Sequence, residues 1–147
     1  MTVEEAYQKM GFVSAEKYDE NIKSRAIEGY LFDYVCNGTK INDYPAKDKE
    51  LLGDAIYEIY AADFEAQGYD FQQLLAYNNK TVEEFKNGLS AKFMRTSMVM
   101  YYIFDAEGLE LLESTLNKQT VAEPIIAESY AIQETVVAFL YENAVIK

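Results

Sequence analysis

Apolar residues along this chain recur every three to five positions, in blocks separated by Gly, Pro, Asn and Asp, and strict alternation never survives for more than four residues. A period near 3.6 predicts helices throughout and no sheet. The longest block is 81–108. Thr81 and Glu84, three apart, form a capping box at its start, and Gly108 supplies the left-handed residue that ends it. About 26 residues at ~1.5 Å each make a rod about 40 Å long, which is more than a compact core needs. Val82, Phe85, Leu89, Phe93, Met100 and Ile103 fall near one stripe, and Met94, Met98 and Tyr101 on another. The second half of the rod is therefore apolar most of the way round, either deeply buried or made to meet a partner.

The remaining blocks follow the same grammar. Residues 3–10 read as a short helix broken by Gly11, and Ser14 caps a second helix over 15–36 that Asn37 and Gly38 close. Gly29 inside it costs about 1 kcal/mol relative to Ala, which points to a close helix crossing or a bend. Residues 39–45 read as an extended connector, and Pro45 starts a third helix that ends at Gly68. Leu52, Ile56 and Ile59 line one side of it, while Tyr57, Tyr60 and Phe64 make an aromatic flank. Asp70 caps a short helix through Tyr77, residues 109–119 read as an amphipathic turn and loop, and a final helix is predicted to begin at Thr120 with Glu123 as its capping-box partner. The chain reads as a single all-α domain over 1–147, without an internal linker or repeat.

Charge changes what such a surface can meet. With 25 acidic against 13 basic residues the net charge is -12, so phosphate backbones and anionic membranes are repelled and basic or neutral partners are favoured. The same acids also serve simply to keep an aromatic-rich surface soluble. Residues 119–146 hold no Lys or Arg, but Glu123, Glu128, Glu134 and Glu142 interrupt them too often for a membrane span. The acidic start MTVEEAYQKM carries no export signal, and the lone Cys36 excludes an intrachain disulfide; a cytoplasmic protein is expected.

Candidate chemistry is thin. The chain has no His, which removes a base for Cys36, any Glu-x-x-His di-iron set and every His-based triad. The run from Asp63 to Gly68 has calcium-loop spacing over six residues, but its twelfth position is Leu74 where a bidentate Glu is needed. Phosphate-cradling and serine-elbow glycine patterns are missing. Neither a cofactor nor a metal nor an enzymatic step is expected. What stands out is apolar surface: the Met-rich run 93–104 suits a binder that repacks against many shapes, or equally a core stripe between packed helices. The 13 Tyr residues suit a groove that is wet when empty and apolar when filled.

The succession of these signals resembles the C-terminal, substrate-cradling domain of the bacterial chaperone trigger factor. The resemblance rests on Gly11-Phe12-Val13-Ser14-Ala15-Glu16-Lys17-Tyr18, on the connector before Pro45, and on Gln67-Gly68 leading to Leu74-Leu75. It continues in Thr81-Val82-Glu83-Glu84-Phe85 running on to Ala106-Glu107-Gly108-Leu109, and in the tail Phe139-Leu140-Tyr141-Glu142-Asn143-Ala144-Val145-Ile146. No ribosome-docking signature and no prolyl isomerase domain accompany it, so neither activity is implied, and between Gly108 and Thr120 one helix of the family's second arm reads as trimmed or missing. The resemblance implies an elongated helical fold shared with SurA- and PrsA-type peptide-binding domains. It further implies an ATP-independent chaperone that holds unfolded or nascent polypeptide. Tyr57, Tyr60, Phe64, Met94, Met98 and Tyr101 are the residues expected to contact such clients, on flanks not needed for helix pairing. The rival expectation is a structural module that uses the same flanks for a homodimer or one specific partner.

Overall fold

The computed structural model describes residues 1–42, 45–121 and 123–144, excepting the side chains of residues 89 and 90. Among the described residues all regular structure is helical: α1 (Val3–Lys9), α2 (Ala15–Gly38), α3 (Ala46–Ala66), α4 (Phe71–Tyr77), α5 (Val82–Ala106), α6 (Glu113–Asn117) and α7 (Pro124–Asn143). Local side-chain bonds set most of the starts. Thr81 Oγ1 accepts from the Glu84 N–H at 3.1 Å while Glu84 accepts from the Thr81 N–H at 2.9 Å, closing the expected capping box on α5. Asp70 accepts from the N–H groups of Gln72 and Gln73 to start α4, and Ser14 accepts from that of Lys17 to start α2. Gly108 takes φ 60° after α5 and Gly68 takes φ 82° after α3, the left-handed conformations that stop both helices.

Three sequence expectations are corrected or sharpened. The last helix begins at Pro124, not Thr120: Glu123 is itself the N-cap and accepts from the Ile126 N–H at 2.8 Å, with Pro at the position that needs no donor. Within the expected amphipathic turn and loop, residues 113–117 form a short helix, α6. A Cβ placed on Gly29 would meet nothing within 4 Å, so of the two expectations there, a close helix crossing or a bend, the close crossing is not found among the described residues. Of the expected connector, residues 43 and 44 lie outside the described residues, as does the end of the tail at 145–147. No helix among the described residues is long and apolar enough to cross a membrane.

The architecture is organised on α5. Its first half pairs antiparallel with α3, Asp54 meeting Lys86 while Leu52 packs with Met94. The N-terminal part of α7 closes this pair through Ile126, making one hydrophobic cluster of Leu52, Ala55, Ile56, Met94 and Ile126. Further along, Val99 and Met100 of α5 meet Ile132 and Val136 of α7 and Cys36 of α2 in a second cluster. The long rod thus threads two small cores in place of one large one. At the far end of α2, Tyr18 sits 5.2 Å from both the Tyr7 and the Phe12 ring, a tip outside either cluster. The chain exposes 10548 Å², where a compact chain of its mass exposes about 7,600 Å². Such an excess belongs to an extended, clefted molecule.

Candidate functional site

Two faces of the α3, α5 and α7 layer are indented, and the cluster around Met94 forms the wall between them. On one face, Leu51 and Leu52 of α3, Met94, Met98 and Tyr101 of α5, and Ile125 of α7 line a cleft of about 380 Å³. Successive turns of one helix place the α5 residues here, since positions 94, 98 and 101 stand one turn apart on a single stripe. Asp48 is the one charged residue in the lining, and the buried Ser97 and Ser129 join the Tyr101 phenol as its other polar groups. Burial pushes the Tyr101 phenol up from its ordinary value, a hydrogen bond with Ser129 pulls it back, and nearby Glu128 adds to the rise. The phenol is therefore a neutral hydrogen-bonding group at neutral pH, well suited to orienting a ligand and unsuited to acting as a base.

On the opposite face lie two clefts that share Ile59 and Val121. The first, about 430 Å³, is walled by Ile56, Tyr60, Phe93, Ile126 and Tyr130, with Lys92 its single charge. The second, about 550 Å³, carries Glu58, Asp63 and Glu123. Together they make one groove beside α3, apolar in the middle and oppositely charged at its two ends. Phe93 and Tyr130 meet edge to face at 5.8 Å, which fixes the wall on the α7 side.

The six residues nominated from sequence separate into three situations. Met98 and Tyr101 line the first cleft and are partly buried; Tyr60, 41% exposed, lines the groove on the other face. Met94 also borders the first cleft, but at 1% exposure it belongs to the core. Tyr57 and Phe64 line no cleft described here. With Tyr60 they surround Phe71 of α4 at ring separations of 5.7, 5.1 and 6.0 Å, and Phe85 of α5 closes the set at 5.0 Å from Phe71. The expectation that all six stand on flanks free of helix pairing is corrected: these rings lock α4 beneath α3 and α5. A short helix of seven residues could not hold itself, so its one buried ring must be clasped by neighbours.

Leu51, Ile125, Tyr130 and Lys92 are not among the site residues expected from sequence, where Ile125 only marks a face of the last helix. Leu51 and Ile125 remain 45% and 37% exposed, and what makes them cleft residues is the approach of α7 to α3, a long-range fact. The incomplete calcium-loop spacing is not a loop at all, because Asp63 and Glu65 lie in the last turns of α3. No group of three or more metal-ligating side chains occurs among the described residues. Cys36 is buried against Val99, Met100, Ile132 and Val136; burial and the neighbouring Asp33 carboxylate raise its thiol above the ordinary range, against a smaller opposing pull from Arg95. That places it in the packing of the second core, with its thiol held in the protonated form. No protein-family model, curated protein or solved structure matches this chain.

Proposed function

We propose that this domain is an ATP-independent chaperone module that holds unfolded or nascent polypeptide segments in apolar clefts on both faces of its central helix layer. The observation that carries the reading is the combination of a large excess of exposed surface with clefts walled by Met, Tyr, Ile and Leu on either side of one thin core. Each cleft accepts one or two large side chains, and burying such a side chain contributes roughly 1.5–3 kcal/mol before the cost of ordering the segment. Contacts of that size hold a client and let it go. Met98 reshapes readily around different side chains, and the Tyr101 hydroxyl serves the polar backbone that every segment brings with it. The net charge of -12 keeps the loaded module dispersed. Capture on this account forms and breaks no covalent bond.

A thermally denatured reporter enzyme tests the reading. The module at a few-fold molar excess is expected to suppress light scattering by the aggregating reporter, and Met98→Lys is expected to weaken that protection. Unchanged scattering at every ratio would remove the proposal. One feature favours a second reading, a specific assembly interface: Tyr30 and Tyr34 stack on each other at 6.1 Å on α2 while 66% and 67% exposed. Sedimentation separates the two, because a tight dimer that protects this pair supports assembly and a monomer that binds unrelated peptides supports capture.

A further inference from the structure

The groove beside α3 is chemically lopsided, and an acidic chain has no need of that. Lys92 at one end is among 13 basic residues in a chain of net charge -12, while Glu58, Asp63 and Glu123 stand at the other end across an apolar stretch that both halves share at Ile59 and Val121. Glu123 is fixed in place, since its carboxylate accepts from the Ile126 N–H at 2.8 Å as the α7 cap. A uniformly basic segment, drawn in by the overall field, would set one of its charges against Lys92. A uniformly acidic one would meet three carboxylates.

We propose that this groove selects extended polypeptide segments whose apolar centre is flanked by an acidic group on one side and a basic group on the other. The apolar centre lies over Ile56, Ile59, Phe93 and Tyr130, the acidic group faces Lys92, and the basic group faces Glu58, Asp63 and Glu123. This rests on the capture reading above and gives it a client class. Two partly exposed ion pairs contribute modestly, and together they amount to about a fivefold preference in Kd over like-charged segments. The preference is one of register along the groove, so it survives where the general attraction of an acidic protein for basic peptides is screened.

Fluorescence anisotropy with labelled peptides decides it. Three sets share one apolar centre, in a range of centre lengths, and carry flanks of opposite charge in both orders, two basic flanks, or two acidic flanks. At about 0.15 M salt, where the screening length is ~8 Å, the better opposite-charge peptide is expected to bind about fivefold more tightly than either like-charged set. Lys92→Glu is expected to transfer the preference to the two-basic set, and Glu58→Lys with Asp63→Lys to the two-acidic set. All three positions are exposed, and circular dichroism checks that the variants keep their helices. Equal Kd values across the sets, or a preference that Lys92→Glu leaves in place, would overturn the inference while capture stands. Failure of every peptide to bind the unmutated protein would remove both.

Discussion

Arg95, in the middle of α5, donates from Nη2 to the carbonyl oxygen of Cys36 at 3.0 Å, reaching the last turn of a helix that ended 57 residues earlier in the chain. The same nitrogen meets the Thr39 carbonyl at 2.9 Å. The final carbonyls of a helix lack intrahelical donors and carry partial negative charge, so a guanidinium there answers both needs at once. It also ties α2 to the rod that organises the fold. Arg95→Met, which keeps much of the side-chain packing, is expected to cost about 2 kcal/mol and to lower Tm, with Arg95→Lys recovering part of the loss. Thermal unfolding followed by circular dichroism measures both.

The division of the six aromatic and Met residues into core, clasp and cleft makes opposite demands on substitutions one helical turn apart. Met94→Ala empties a fully buried site and is expected to cost about 2–5 kcal/mol. Met98→Ala, on the open wall of the first cleft, is expected to cost about 1 kcal/mol and to weaken binding of an apolar fluorescent probe severalfold. Denaturant unfolding and a probe titration on the same two proteins separate stability from capture.

Phe71 stands at the centre of the rings that hold α4. Phe71→Ala is expected to cost about 3–5 kcal/mol and to release α4. Tyr60→Ala removes an outer ring that is already 41% exposed, and is expected to cost less than half as much. Urea midpoints for the two variants check the order.

Hydrogen bonds from the Thr81 backbone and hydroxyl hold the Glu84 carboxyl below the ordinary carboxylate range. With the folded value beneath the unfolded one, the contribution is complete above about pH 4.3 and fades as pH falls through the folded value. The first turn of α5 is therefore expected to fray in acid, read as lower amide-exchange protection, relative to the intrinsic rate at each pH, at Glu84 and Phe85. Glu84→Gln keeps an acceptor without the titration, and is expected to flatten that dependence.

What could be read before the fold was known divides along the range of the forces involved. Thr81 with Glu84, Ser14, Asp70 and Gly108 act on their own neighbours, and each marks the boundary expected of it. Thr120 and Glu123 mislead because their spacing satisfies the capping-box pattern while Glu123, followed by Pro124, caps the helix alone. The all-helical class follows from periodicity. Which Met is sealed and which is open does not, because Met94 and Met98 share a stripe and only their long-range packing distinguishes them: Met94 lies inside the cluster with Leu52, Ala55, Ile56 and Ile126, and Met98 lies against its edge. Tyr57 and Phe64 read as a free flank for a similar reason: the ring they enclose, Phe71, comes from the next helix. The opposed charges of Lys92 and Asp63 come to one groove only through the antiparallel pairing of α3 and α5 and through Val121, which both clefts share.

The tip where Tyr7, Phe12 and Tyr18 meet shares no residue with either main cluster, and α1 buries no side chain fully. Such a tip opens as a unit of its own, at a fraction of the free energy needed to unfold the remainder. A dilute protease should therefore nick the chain first near Gly11, where the backbone turns through φ 86°, and leave a trimmed product whose melting is nearly that of the whole. The molecule carries a detachable finger.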